Sequence, residues 1–239
     1  MKVDEDSCIA CGLCVPYCPM GAISMDDLAT IDQDECVDCG VCLRAEVCPV
    51  DAFIYETSPW PRSLRAVFSN PTIVHKETRI TGRGTEEMKT NDVTGRFKRG
   101  WVGLGLEFGR PGIGARFRDV DKVARAMAKL GAQFEPKNPV TLLMEDVGSG
   151  KLKEDVLDEK VMSAIIECAF PIEKIRDALI ALKEVSRDVD TVLSVDCINV
   201  VEPDDSLPMD KILSELGIPR YINGKTNVGL GRPLAEGGN

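Results

Sequence analysis

From Trp101 onward the chain switches between two hydrophobic periods. Trp101–Phe108 alternates apolar with small residues, the two-residue period of a strand, and Gly109-Arg110-Pro111-Gly112 breaks it. Val120, Val123, Ala124, Met127 and Leu130 then recur at helical spacing from Asp119, with Gly131 as the stop. Val140–Met144 reads as a short strand and Met162–Phe170 as a longer one. Pro171 suits the first position of a helix over Ile172–Val185, because its missing N–H costs nothing there. Val189–Val200 reads as a further strand, Lys211–Leu216 as a short helix, and the end is glycine-rich. The order β-α-β-β-α-β predicts an α+β domain at 101–239, a four-stranded antiparallel sheet with two helices on one face, in the ferredoxin-like split arrangement. Cys168 and Cys197 fall within its strands and read as buried free thiols. The exposed sheet face, with Gly103 and Gly105, suits close approach by another chain, including a second copy of this one.

Residues 58–100 show neither period. Ser58-Pro59-Trp60-Pro61 punctuates their start, and the run that follows is polar, glycine-bearing and rich in Arg, which reads as a basic, extended connecting segment. Charge sharpens this division. Residues 1–56 hold twelve Asp and Glu against only Lys2 and Arg44, a net −10; residues 57–118 carry +7 and residues 119–239 carry −7. An acidic head repels phosphates, so nucleic acid is not the expected partner. The basic strip is expected to lie on the acidic face of its own chain. A second use is an anion or docking site at Arg79, Arg83 and Arg96, around Thr81-Gly82-Arg83-Gly84-Thr85, although that loop has neither the length nor the lysine of a phosphate loop. His75, the sole histidine, reads as a hydrogen-bonded structural residue.

Composition adds little beyond this. Apolar content of 44 % and charged content of 28 % are ordinary for a globular protein, and aromatics at 5 % imply aliphatic cores. No run approaches the roughly 18 apolar residues of a spanning helix. The start, MKVDEDSC, has no apolar signal region, so a cytoplasmic protein without a membrane segment is expected.

The cysteines carry the chemistry. Eight of the ten lie between Cys8 and Cys48. Cys8, Cys11, Cys14 and Cys18 form C-x2-C-x2-C-x3-C followed by Pro19; Cys36, Cys39 and Cys42 repeat the core, and Cys48-Pro49 closes it. Three thiolates two residues apart wrap a loop around three irons of a cubane, but the same tight loop cannot reach the fourth. The Cys-Pro of the other repeat supplies that ligand. One cluster is therefore assigned to Cys8, Cys11, Cys14 and Cys48, and the other to Cys36, Cys39, Cys42 and Cys18. Zinc needs only two C-x2-C pairs and does not explain two triplets with crossed closures. Disulfides fit neither the spacing nor the expected compartment.

Residues 1–57 thus resemble the bacterial two-[4Fe-4S] ferredoxins. The resemblance implies their fold, a pseudo-twofold pair of hairpins with short helices. The intervening stretches fit, with Ala22–Met25 facing Thr30–Asp32 across a turn at Asp26-Asp27, and Ala52–Tyr55 facing Met1–Val3. Gly12 and Gly40 let backbone amides come close to sulfide. One departure stands out. The family has three residues between the third and fourth cysteines, whereas the second repeat has five, Leu43-Arg44-Ala45-Glu46-Val47, which places Arg44 beside a cluster.

Function follows from the clusters as one-electron transfer. The expected role is the electron-delivery subunit or domain of a cytoplasmic anaerobic oxidoreductase, with a flavoprotein or metalloenzyme as redox partner, rather than a complete enzyme. One alternative is part of the active site of a reductase, since the run from Ser58 to Gly100, notably ITGRGTEEMKTNDVTGRF, and the ending NVGLGRPLA are similar to the ferredoxin-bearing part of 6-hydroxynicotinate reductase-type proteins. The other is a redox- or effector-sensing regulator.

Overall fold

The cysteine repeat, offset by 28 residues, folds as a repeat of hairpins. In the computed structural model of the chain, residues 1–79, 81 and 96–220 are described. Strand β1 (Lys2–Val3) pairs antiparallel with β4 (Phe53–Ile54), and β2 (Ile23–Met25) with β3 (Ala29–Ile31). The same bonds recur in each half. Asp4 donates its amide to Ala52 and Asp32 to Ala22, at 2.7 and 2.8 Å, while Cys8 and Cys36 donate to the carbonyls of Asp4 and Asp32 at 3.0 and 2.9 Å. Both strand pairings expected from the sequence are present. The interior is small: Cys14, Ile23 and Ala29 are its buried members, with Val3, Val15, Met25, Ile31 and Phe53 packed against them. The longer second closure forms a helical turn, α1 (Val41–Arg44), followed by Glu46 at φ 50°.

The second half builds one four-stranded sheet from β5 (Trp101–Phe108), β7 (Gln133–Phe134), β11 (Ala164–Pro171) and β12 (Leu193–Ile198), in the spatial order β12-β5-β11-β7 with every neighbouring pair antiparallel. Strand alternation puts Val102, Leu104, Leu106 and Phe108 of β5, all 0 % exposed, on the face covered by two helices. These are α3 (Phe117–Lys129) and α4 (Ile172–Val185), which pack on one another as well as on the sheet. Each carries an acid in its first turn (Asp119, Glu173) and a lysine in its last (Lys129, Lys183), the signs that the helix dipole favours. Two short strands, β6 (Ala115–Arg116) and β9 (Lys151–Leu152), pack on α3; β8 (Met144–Asp146) pairs with β9, and β10 (Lys160–Val161) pairs with β6. Helix α5 (Pro208–Glu215) contributes Met209 to the same core.

Two expectations change. Val140–Met144 is not the second strand of the sheet: Thr141–Leu143 is a 3-10 turn, and Gln133–Phe134 takes the sheet position instead. The reason is Asn138, fully buried, whose side-chain oxygen accepts the Val140 amide at 2.8 Å and whose carbonyl accepts the Leu142 amide at 3.2 Å, so the chain turns there. The segment 58–100, expected to be extended, contains helix α2 (Ser63–Ser69). Leu64 and Phe68, one turn apart, join the core of the second half, where Phe68 meets Phe117 edge-on at 5.1 Å and 82°.

The opposite face of the sheet carries Gly103 and Gly105 of β5. Phe97, 2 % exposed, lies over Gly103 so closely that a Cβ there would stand 2.3 Å from the ring. The glycine makes room for an aromatic lid supplied by the chain itself, whereas the sequence suggested approach by another chain.

Two substitutions test this packing. Phe68→Ala should cost about 3–5 kcal/mol, the range for truncating a buried aromatic. Gly103→Ala should cost about 1–3 kcal/mol as Phe97 is displaced. Chemical denaturation of the full chain under anaerobic conditions reads both; an unchanged midpoint in Phe68→Ala would show that α2 is not part of the core.

Candidate metal centres

The fold gathers the eight N-terminal cysteines into two sets of four. One cavity is lined by Cys8, Cys11, Cys14 and Cys48, with Val3, Ile9, Met25, Val47, Val50 and Phe53 completing its walls. A second is lined by Cys18, Cys36, Cys39 and Cys42, together with Met1, Met20, Ile23, Ile31, Val37 and Asp38. Each set is a triplet from one repeat and the Cys-Pro cysteine of the other.

Local backbone makes the triplets possible. Gly12 and Gly40 sit at φ 70° and 68°, in the left-handed region that lets the loop curl back on itself. Two residues before each glycine, Ala10 and Asp38 also have positive φ, 55° and 50°. Non-glycine residues rarely adopt this conformation, and its recurrence at equivalent positions marks a loop shaped by what it surrounds. The closing cysteines are matched as well. Ala22 donates its amide to the Cys18 sulfur at 3.2 Å, and Ala52 donates to the Cys48 sulfur at 3.2 Å. Such bonds favour the charged sulfur and stabilise added negative charge on a bound cluster.

The donor set fits cubane clusters better than a single ion. Zinc draws four ligands to one point at about 2.3 Å from sulfur. Here, among the described residues, no three Cys, His, Asp or Glu converge that tightly, and the thiols instead ring an open volume. Without iron four of these thiols are poor anions. Burial, followed by its neighbours Cys39 and Cys36, pushes the Cys42 thiol up to about 11, and burial raises Cys14, Cys36 and Cys39 as well. Metal charge is what offsets that cost when thiolates bind.

The second cavity is braced by the rest of the chain. Arg65, 5 % exposed on α2, places Nη1 at 2.9 Å from each of the carbonyls of Gln33, Asp34 and the ligand-loop residue Cys36, and its Nε pairs with Glu159. Arg62 pairs with Asp38 at 3.3 Å and donates to the Gln33 carbonyl at 2.7 Å. Arg44 donates to the carbonyl of Cys39 at 2.8 Å and to Asn70 at 2.9 Å. Arg116 reaches Asp34 at 2.6 Å, and Lys160 pairs with Glu35. None of Arg62, Arg65, Arg116 and Lys160 stands out in the sequence alone. The available signal was the helical spacing of Leu64, Val67 and Phe68, which makes α2 amphipathic with Arg65 on its buried side.

Other candidates have different surroundings. Arg79 is exposed at φ 62°, its amide bonded to the His75 carbonyl at 2.9 Å. Arg96 pairs with the buried Glu135 and lies 5.6 Å from the Phe97 ring centre. Arg83 lies outside the described residues. His75 is 8 % exposed, and its Nδ1 accepts the amides of Glu77 and Thr78 at 3.3 and 3.2 Å; burial holds its pKa below the usual histidine range. It closes a turn. Cys168 and Cys197 face Leu104 from either side of β5, and burial pushes them up to about 12 and about 11, as expected of inert structural thiols. Among the described residues no helix is long and apolar enough to cross a membrane.

Replacing Cys14 with Ser should damage one centre and replacing Cys42 the other, each variant losing close to half of the bound iron. Retention of the full iron content by both variants, measured on anaerobically purified chain, would contradict the grouping.

Residues 1–55 match the family model described as a 4Fe-4S dicluster domain. The N-terminal segment therefore carries two [4Fe-4S] clusters and serves iron–sulfur electron transfer. No curated protein sequence matches the chain. The resemblance to 6-hydroxynicotinate reductase-type proteins finds no support, and part of the residues that carry it, 82–95 and 227–235 among them, lie outside the described ones.

Proposed function

We propose that the chain is the electron-delivery subunit or domain of an oxidoreductase, carrying single electrons between a donor and a flavin or metal centre on a partner protein. The observation that carries this reading is the pair of cysteine-lined cavities in the segment matched as a dicluster domain. In it, Cys8, Cys11, Cys14 and Cys48 hold one cluster, called here the outer, and Cys36, Cys39, Cys42 and Cys18 hold the inner. The clusters, when bound, supply one-electron chemistry, with hydrogen bonds to sulfur, charge and burial setting each potential.

This chain's own residues divide the remaining work. The amides of Ala22 and Ala52 steady the two crossing thiolates. Apolar walls such as Met1, Ile23 and Val37, all at most 5 % exposed, keep water from the inner cavity. The sheet of the second half, read as a ferredoxin-like βαββαβ sandwich from its strand order, provides a rigid body to which the cluster module is clamped. A low-potential carrier of this kind suits a cytoplasmic, anaerobic setting. The acidic surface of residues 1–56 steers encounter with a basic partner, because complementary charge raises association rates. A regulatory reading has no observation in its favour.

An anaerobic pull-down of the tagged chain from its own host, with iron and flavin assays on the eluate, tests the proposal. A stoichiometric flavoprotein or metalloenzyme that is reduced through this chain is the expected result. Conversion of a substrate by the isolated chain, with no partner present, would overturn it.

A further inference from the structure

The two ligand loops are one motif used twice, yet they meet opposite surroundings. In the first, Ile9 and Leu13 are 60 % and 54 % exposed and Cys11 lies at the surface. In the second, the positions equivalent to Ile9, Ala10 and Cys11 are Val37, Asp38 and Cys39, at 1 %, 3 % and 8 %. The second half of the chain supplies much of the cover. Arg65 of α2 grips the Cys36 carbonyl, and Met20, two residues past Cys18, lies over Gly114, where a Cβ would stand 2.6 Å from its methyl group.

Charge follows the same division. Around the inner loop stand the guanidinium groups of Arg44, Arg62, Arg65 and Arg116 and the ammonium groups of Lys160 and Met1, opposed by the carboxylates of Asp32, Asp34, Glu35, Asp38 and Glu159. Beside the outer loop the sequence places Asp4, Glu5 and Asp6, and among the described residues none of them is paired with an Arg or Lys. Reduction adds one negative charge to a cluster. Cations within a few ångströms stabilise the reduced form, carboxylates destabilise it, and burial alone opposes the added charge. At the inner cluster every one of Asp34, Glu35, Asp38 and Glu159 is paired with a cation, and Arg44 and Arg65 bond directly to ligand-cysteine carbonyls, which favours added negative charge there.

We propose that the two clusters have different jobs. The outer cluster is the port where electrons are exchanged with a partner. The inner cluster, at higher potential, is where an electron rests, held there by Arg65 and Arg44. A low-potential one-electron donor protein reduces the outer cluster, which is reoxidised as the electron passes to the inner one. The rim of the port, Ile9 and Leu13 beside Glu5 and Asp6, fits a donor whose apolar contact patch is ringed by Lys and Arg. The proposal rests on the electron-delivery reading above and assigns the order of the two centres within it.

The test is a potentiometric titration of the full, anaerobically purified chain followed by electron paramagnetic resonance, with a soluble dysprosium chelate as relaxation probe. Two one-electron steps are expected, and the cluster reduced first should be the one less relaxed by the chelate. Arg65→Gln should lower only that step, cutting its ratio of reduced to oxidised cluster about tenfold at a fixed potential, or about 59 mV for one electron. Arg44→Gln, on a side chain more exposed than Arg65, should move the same step in the same direction by less, and keeps the test valid if loss of Arg65 impairs folding. Equal potentials with equal relaxation, or variants that shift the more exposed cluster, would overturn the assignment while leaving electron delivery intact. Clusters that cannot be reduced and reoxidised at all would overturn both.

Discussion

The crossing of the two closing cysteines is the constraint on which the rest of the module depends. Cys48 leaves the second repeat to complete the set of the first, and Cys18 does the reverse. Neither hairpin can then hold a complete set alone, and the two halves must fold as one body around both centres. The small apolar interior, with few buried members, would be marginal for a segment of this length. Metal–thiolate bonds joining distant parts of the chain supply what the core lacks, as in other small metal-bearing domains. The matched strand pairs, matched sulfur-bound amides and matched left-handed residues are the local consequences of building one site twice.

A second constraint acts between the halves. The cluster module is strongly acidic, and its docking is made by cations presented from the connecting helix and the sheet domain: Arg62, Arg65, Arg116 and Lys160. Arg65 is the central member because it is buried. A buried guanidinium is costly unless its donors are used, and here they meet Glu159 and the backbone carbonyls of Gln33, Asp34 and the ligand Cys36. The same residue thus fixes the orientation of the halves and places a positive charge beside one cluster only. A sequence duplication that would otherwise give two similar centres becomes asymmetric through what is packed against it.

How legible this was in the sequence depended on the range of the interaction. Cluster ligands are set by spacing within a few residues, so the triplets and their Cys-Pro closures could be read directly. Strand Trp101–Phe108 and helix Ile172–Val185 were visible because their burial follows a long, regular period. Gln133–Phe134 was not, since two residues cannot display a period, and the apolar run Val140–Met144 resembled a strand until the Asn138 turn is known. Helix α2 was hidden because it is short and lies in a polar, Arg-rich segment that read as extended, although Arg65 faces inward. The docking pairs were out of reach for a different reason: Arg116 and Asp34 are 82 positions apart, and only the tertiary fold brings them together.

The central claim is that one chain carries two four-iron clusters in crossed cysteine sets. Its most direct test is the iron and acid-labile sulfide content of the full chain purified without oxygen. Two [4Fe-4S] clusters predict eight irons and eight sulfides per chain. Four of each, or zinc without sulfide, would contradict the account.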